Sequence, residues 1–498
     1  MFRINSTISN QSESILKIND AINIFIVGNG FDLEVGLNTS YSAFIKYIVI
    51  KIYLSLLLED LKNIKEYIEK NKEYIDFVCK CAADKNILES NSGQLLIHVI
   101  QELVEKDDSK FVNEAELLRK KLNYSFIKDF FYLVLNKDLF NSLKSKDSLI
   151  SFKNNLNKDE IKKRFETILD EDQKSRFYNC YPYYEDLFAF IDILDNRTQT
   201  SSIKQWVDVE SFIEFLVTND RDLSVRFYPN ENRDKAYDSP LFVSPSLYKE
   251  YFNGIDEFSS LFEEYLKAIL PKSFVNFGLI SISNSRDFDN LITDITLPYK
   301  SSLNNRSQNY LEFNNFAKQY INVDVIINYN YTYTAEAYFQ VNNGKDYKNQ
   351  TYHVNGEVDY NSHYKISFNK QKINHLVFGF SNSKAVELKS TLHTFEKKVL
   401  RVIKNTTPLD LEKLTSKPFN LLIYGHSCSV ADGDVIGEHL KSPNLKLAVI
   451  LCYDQDSLVS ITNNLIEIVG QNRFDKLINN ANQKTGKESL YLAVRYEF

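Results

Sequence analysis

The sequence predicts an α/β protein in which a mostly parallel sheet carries a large α-helical insertion domain, and three observations predict it. After about residue 320, six short apolar stretches, several apolar on both faces, alternate mostly with helical ones, as parallel strands covered by helices do. From about residue 41 to residue 270 the apolar residues instead recur at helical spacing, with few glycines. One further strand-like run, starting at Ile22, precedes that interval, and the C-terminal sheet is its economical home. The expected division is 1–40 as first strand and glycine loop, 41–275 as helical insertion, 276–320 as connection, and 321–498 as the remainder of a Rossmann-like domain.

The first strand, INIFIV, ends on Gly28-Asn29-Gly30. Two glycines one residue apart at a strand end leave no Cβ between backbone and ligand, so their N–H groups can face a phosphate. Phe31 follows, and Asp32 suits the N-cap of a short helix ending at Gly36. The spacing is G-x-G-x5-G rather than the dinucleotide fingerprint, so a tight turn without ligand stays open beside the nucleotide reading. Thr39-Ser40 can cap a helix from Tyr41 to about Leu58, whose apolar run is too short to span a bilayer and contains Lys51. Helical patterns continue over Asp60–Cys81, Gly93–Lys106, Asn113–Leu122, Tyr124–Leu135 and Asp159–Leu169. In Trp206-Val207-Asp208-Val209-Glu210 the two carboxylates cannot share a helical face; Glu210 reads as helix-start acidity, and Asp208 stays open. The later strands are VDVIINYN, QTYHVNG, HLVFGF, FNLLIYG, LKLAVILCY and SLYLAVRYEF, with helices over Ser383–Ile403 and Asp456–Val469.

Composition narrows the function classes. With 498 residues, 43% hydrophobic and 13% aromatic, the chain can build more than one packed core. Its 59 basic and 66 acidic residues give a net charge of −7, so no global basic field recommends nucleic acid as the main partner. The N-terminal stretch is polar and lacks the apolar core of a signal peptide, which predicts a cytoplasmic protein without a membrane partner. Five scattered cysteines, Cys79, Cys81, Cys180, Cys428 and Cys452, read as reduced thiols, and no zinc-ligand spacing occurs, so no structural metal is expected.

In an open parallel sheet, ligands bind beyond the carboxyl ends of the strands. There stand Gly28, Asn29, Gly30 and Asp32; Asn328, Asn330, Tyr331 and Thr332; His353, Asn355 and Gly356; Gly379; and Gly425, His426 and Ser427 with Asp432 and Asp434. Polar residues and glycines at nearly every strand end point to a ligand site. Gly425-His426-Ser427-Cys428-Ser429 approaches the nucleophile elbow G-x-S-x-G, but ends in serine, and the only downstream histidine, His439, is too near. A serine hydrolase is disfavoured, and a ribose or phosphate cradle is the other use of such a turn.

Six motifs in order, IVGNGFDLEVGLNTSY, WVDVE, NYNYTYT, HVNG, VFGF and IYGHSCSVADGD, resemble the AbiH family of bacterial abortive-infection proteins. They cover most of the chain; Asn38 stands where the family usually has proline, a difference in loop rigidity more than in chemistry. The family is more distantly similar to the sirtuin-like NAD-binding fold. That resemblance implies Gly28, Gly30 and Asp32 in a phosphate loop with Asn29 and Phe31, Asn330 at the nicotinamide ribose, and Gly425 and Ser427 with His426 at the adenosine. It implies His353 as base, two residues before Asn355 on the same strand face, because the usual His-Gly pair is replaced by Asn355-Gly356; Thr332 stands where the sirtuin-like pattern prefers Asp. Cleaving a nicotinamide–ribose bond passes through an oxocarbenium-like state and asks for a dry pocket, an orienting group and a base near neutral pKa, which assigns Asn330, His353 and Asp32 as catalytic candidates.

The implied protein is an anti-phage effector that binds NAD or a related nucleotide as substrate or ligand, with no tightly bound cofactor, and hydrolyses it on infection. Its expected partners are that nucleotide, a phage-encoded trigger protein and further copies of itself. Two rivals remain: a non-catalytic nucleotide sensor whose helical domain contacts a phage or host protein, and a nuclease holding Mg²⁺ through Asp32, Asp208, Asp432 and Asp434.

Overall fold

A computed structural model describes residues 21–34, 37, 39–56, 95, 99, 102, 108–122, 124–135, 137–154, 163, 209–210, 212–213, 245–269, 323–336, 339, 350–358, 376–379, 395–404, 411–452, 454–483 and 488–494. The chain divides into two compact units, Met1–Leu37 with Leu270–Phe498, and Asn38–Ile269.

The first unit is built on a six-stranded sheet of β1 (Ile22–Val27), β2 (Val325–Asn328), β3 (Thr351–His353), β4 (Phe419–Tyr424), β5 (Leu445–Cys452) and β6 (Ser489–Val494). Their order is β3-β2-β1-β4-β5-β6, and every neighbouring pair is parallel. β1 lies at the centre, Ile24 opposite Val325 on one side and Leu421 on the other. Because side chains alternate along a strand, adjacent residues feed two different layers. Ile24, Ile26, Leu421, Ile423, Ala448 and Ile450 join Val435, Ile436, Leu440, Ile461, Leu465 and Leu477 of the C-terminal helices. Phe25, Val27, Ile326, Leu422 and Val449 face the other way, onto Phe31, Ala335 and Phe339. Each large side chain buried this way contributes about 1.5–3 kcal/mol, which is why both faces of the strands are apolar.

Those helices run over Gly433–Lys441, Gln455–Val469 and Gln471–Gln483. Asp454 caps the second: its Oδ1 accepts the Ser457 N–H at 2.7 Å while Ser457 Oγ accepts the Asp454 N–H at 2.8 Å. Gly470, at φ 84°, ends it.

Two expectations are corrected. HLVFGF supplies no strand among the described residues: 376–379 lie outside the sheet, and the Val377 N–H donates to the Asn355 carbonyl at 2.8 Å in the loop after β3. β3 is a three-residue edge, too short to template a further partner. The short helix after β1 starts at Asn29, not at Asp32, so Asp32 lies inside its first turn and its carboxylate is turned to other partners. Of the helix expected over Ser383–Ile403, the described part is Lys397–Ile403.

The second unit is helical: Tyr41–Leu56, Asp108–Lys121, Ser125–Val134, Lys137–Ser142, Lys146–Asn154 and Pro245–Ile269. Ser40 Oγ accepts the Ala43 N–H at 3.1 Å, capping the first of these as its sequence implies. That helix is buried from Ala43 to Ser55, and Lys51 within it is neutralised by Glu102 at 2.7 Å and Glu114 at 3.1 Å. Phe258 packs edge-on against Phe44, Phe126 and Phe130, at 5.3, 5.8 and 5.3 Å. Gly254 lets two helices close, since a Cβ there would stand 2.8 Å from Phe126 Cβ. Val209, Phe212 and Ile213 are buried and helical, Glu210 half-buried; Asp208, Trp206, Cys79, Cys81, Cys180 and the patterns over 60–81 and 159–169, but for Lys163, lie outside the described residues. Among the described residues no helix is long and apolar enough to cross a membrane.

Candidate functional site

The carboxyl ends of β1, β2, β3 and β4 converge on one edge of the sheet, where the strand order reverses between β1 and β4. At that reversal the glycines are required by close chain approach. A Cβ on Gly28 would lie 2.7 Å from the Gly425 carbonyl oxygen, and one on Gly30 would lie 2.8 Å from Gly425 Cα. Gly425 itself sits at φ +65°, and a Cβ there would collide with Phe31 N. The N–H groups of Gly28, Gly30 and Phe31 donate to the carbonyls of Tyr424 (3.1 Å), Gly425 (2.7 Å) and Gly28 (2.9 Å). The two glycine amides that the sequence offers to a phosphate are thus engaged within the protein, as is that of Phe31. Phe31 is core, edge-on to Phe25 and Tyr424 at 6.4 and 5.9 Å.

Next to this turn lies a buried polar cluster. Asn328 ends β2, accepts the Asn330 N–H on its Oδ1 at 2.8 Å and donates from Nδ2 to the Thr332 carbonyl at 2.9 Å, which folds Asn-Tyr-Asn-Tyr-Thr back on itself. The fold brings two side chains onto the carboxylate of Asp32: Asn330 Nδ2 donates to Oδ1 at 3.2 Å and Thr332 Oγ1 to Oδ2 at 2.7 Å, with Thr334 Oγ1 2.9 Å from Thr332. Asp32, Asn330 and Thr332, far apart in sequence, therefore meet, each at most 3% exposed. Asn330 Oδ1 and Asn355 Oδ1 are buried with no hydrogen-bond partner among the described residues. A buried acceptor left unmatched costs on the order of 1–3 kcal/mol, which a ligand's donor would recover.

His353 closes β3. Its Nδ1 faces the Asn330 carbonyl at 3.4 Å, and its Nε2 lies 2.7 Å from Glu336 Oε1, at ion-pair distance though off the line of a hydrogen bond. Burial alone would lower its pKa, but Glu336, then Glu357 and the Asn330 carbonyl, raise it above the ordinary 6.5. Both ring nitrogens therefore stand against protein acceptors, Nε2 by charge rather than by a hydrogen bond. Asn355 lies in the turn after β3, its Nδ2 3.4 Å from the Tyr329 carbonyl.

A second cluster lies beyond β4. His426 Nδ1 accepts the Cys428 N–H at 2.9 Å, which places its proton on Nε2, 3.4 Å from Asp432 Oδ2. Lys397 Nζ donates to Asp432 Oδ1 at 2.6 Å, and Arg401 pairs with Asp434 while donating from Nε to the Val354 carbonyl at 3.1 Å. Burial pushes the Asp432 carboxyl up, yet Lys397, His426 and Arg401 together hold it well below the usual carboxylate range. The Tyr329 ring meets His426 at 4.3 Å, joining the two clusters through the residue that follows β2. Asn29 is half-buried at the helix start, and Ser427 is exposed at the rim, its carbonyl accepting Asn464 Nδ2 at 3.1 Å.

Sequence reasoning missed Glu336, Lys397 and Arg401. Lys397 and Arg401 stand four apart within an apolar helix, a spacing that puts two cations on one face and was the available signal. Glu336 carries none, being one acid in a Thr-Ala-Glu-Ala run.

Comparison with known proteins adds one finding. The family model described as bacteriophage abortive infection AbiH matches residues 24–453, most of the chain and the whole of both clusters. No curated protein and no solved structure matches. By that match the chain belongs to the bacteriophage abortive infection family AbiH.

Proposed function

We propose that this AbiH protein binds NAD⁺ or a related nucleotide at the reversal between β1 and β4 and hydrolyses its nicotinamide–ribose bond as the effector step of abortive infection. The observation that carries the reading is the buried Asp32-Asn330-Thr332 cluster, with the unmatched oxygens of Asn330 and Asn355, at the ends of the central strands. A parallel sheet in the order 3-2-1-4-5-6 is the arrangement of doubly wound, Rossmann-like dinucleotide-binding domains, sirtuin-like ones among them in this reading, and their ligand lies at this reversal. The reaction balances as NAD⁺ plus water giving nicotinamide, ADP-ribose and a proton. As the bond breaks, positive charge grows on the ribose, and the Asp32 carboxylate is the group suited to face it. Asn330 presents one amide oxygen to the ribose hydroxyls while its nitrogen stays on Asp32. His353 takes the proton in its neutral form, one ring nitrogen turning from its protein partner to do so.

The test is incubation of the purified protein with NAD⁺, NADP⁺, ATP and GTP, followed by chromatography. Release of nicotinamide, reduced at least about 10²-fold in Asn330→Ala and His353→Ala, is the expected result. No product from any of the four would overturn it.

A second reading, a nucleotide sensor without turnover, is favoured by one observation: both His353 nitrogens are engaged by protein groups. A melting shift with one nucleotide and no product would select it. The nuclease reading fares worse, because Asp432 and Asp434 are ion-paired to Lys397 and Arg401 and would have to release them to hold a cation. Among the described residues no three His, Cys, Asp or Glu side chains form a metal-holding group.

A further inference from the structure

Glu336 is 1% exposed, and its carboxylate holds two side chains at once. Oε1 lies 2.7 Å from His353 Nε2, while Oε1 and Oε2 accept from Asn328 Nδ2 at 3.3 and 3.1 Å. Those two residues grip opposite sides of one amino acid: Asn328 Oδ1 takes the Asn330 N–H at 2.8 Å, and His353 Nδ1 faces the Asn330 carbonyl at 3.4 Å. Asn330 in turn donates its side-chain N–H to Asp32. A misplacement of an orienting group by about 1 Å can cost 10²-fold in rate, so a residue fixed on both sides needs a common anchor.

We propose that Glu336 is the positioning residue of this site: by tying Asn328 of β2 to His353 of β3 it sets Asn330 against Asp32 and keeps His353 poised to exchange a proton. The inference rests on the hydrolase reading for its catalytic part only. His353 is faced by Glu336 from the segment after β2, by Glu357 from the turn after β3 at 3.6 Å, by the Asn330 carbonyl and by the edge of the Tyr333 ring. Glu357 is half-buried, its side chain 44% accessible to screening water, and it stands farther off, which leaves Glu336 as the group that governs the imidazole.

The test uses the full chain as wild type, Glu336→Gln, Glu336→Asp and Asp32→Asn. The imidazole of ¹⁵N-labelled His353 is titrated by NMR without nucleotide, and nicotinamide release is followed across pH. Glu336→Gln keeps the shape and the acceptor for Asn328 but loses the charge. It is expected to lower the His353 titration midpoint by about one pH unit, move the Asn330 side-chain amide resonance, and reduce kcat about 10- to 100-fold with KM changed less than about two-fold. Glu336→Asp, which restores charge at shorter reach, should recover part of the midpoint. An unchanged midpoint and an unchanged kcat in Glu336→Gln would overturn the proposal; should that variant not fold, Glu336→Asp is judged by the same readouts, a wild-type midpoint and kcat again overturning it. If the wild type and Asp32→Asn alike release no nicotinamide, the hydrolase reading falls by itself. The His353 midpoint and the Asn330 resonance then decide positioning, movement of both supporting it and movement of neither overturning it.

Discussion

The two clusters at the strand ends handle buried charge in opposite ways. Beyond β4, every charge meets its opposite: Lys397 with Asp432, Arg401 with Asp434. Around β1, β2 and β3 the Asp32 carboxylate accepts from an amide and a hydroxyl, and the side-chain oxygens of Asn330 and Asn355 have no hydrogen-bond partner among the described residues. Buried ion pairs repay their own desolvation and little more, so the cluster beyond β4 reads as a clamp on the β4 loop. Buried acceptors without donors are costly unless something else supplies the donors; Asp434 Oδ1 is one in the β4 cluster too, but there Arg401 offers a charge partner, whereas under the proposed function a ligand supplies the donors to Asn330 and Asn355. Under the proposed function, the difference separates the part that holds the loops from the part that meets the nucleotide.

The comparison can be broken hardest at Lys397. Lys397→Met strips Asp432 of its nearest counter-charge inside the protein, and a loss of about 3–5 kcal/mol in urea unfolding is expected; a loss below about 1 kcal/mol would mean that no clamp exists there. Asp32→Asn should do the reverse, leaving the melting temperature close to wild type while nicotinamide release falls by about 10²-fold or more. A variant that unfolds but, where folded, still turns over would merge the two regions into one structural network. Gly425→Ala tests the ground between them. With φ at +65° and no space beside Phe31 N, a cost of about 2 kcal/mol or more is expected in the same unfolding assay.

Two histidines sharpen the contrast through pH. His353 titrates above the ordinary 6.5, so its contribution to stability is complete below pH 6.5 and is lost as pH rises through its folded value. His439 is fully buried, donates from Nδ1 to the Val435 carbonyl at 2.8 Å, and is pushed below 6.5 by burial. Its contribution is present above pH 6.5 and is lost as pH falls towards its folded value. His353→Gln should flatten the alkaline side of the stability profile and His439→Gln the acid side; the opposite assignment would show that the Glu336 pairing does not govern His353. The smallest effect belongs to Ser427→Ala, an exposed rim position, where stability should stay within about 0.5 kcal/mol.

Much of the sheet was legible because its strands are apolar on both faces, a pattern that only burial between helices explains. Ile22–Val27 could be given to a C-terminal sheet for the same reason, having no other apolar partner. HLVFGF failed because an apolar run records burial and not pairing: Val377 and Phe378 are buried, but against the β3 loop and Tyr331. In the candidate site, Gly28, Gly30, Asp32, Asn330, Thr332, His353 and Gly425 could be named from their place after strands. The use made of each could not. The spacing Gly-Asn-Gly states that a chain or ligand comes close, and only the fold reveals that the Gly425 carbonyl fills that place.

By itself, then, the sequence determined the parallel α/β sheet, the strand-end location of the polar residues and the family, because hydrophobic period and short motifs are local properties of the chain. The tertiary structure alone decided that Asp32 answers to Asn330 and Thr332, that Glu336 anchors His353, and that Lys397 and Arg401 neutralise Asp432 and Asp434. Those pairings join residues up to 300 positions apart, and which buried charge finds which partner depends on the register of strands and loops brought together in space, on which local spacing carries no information.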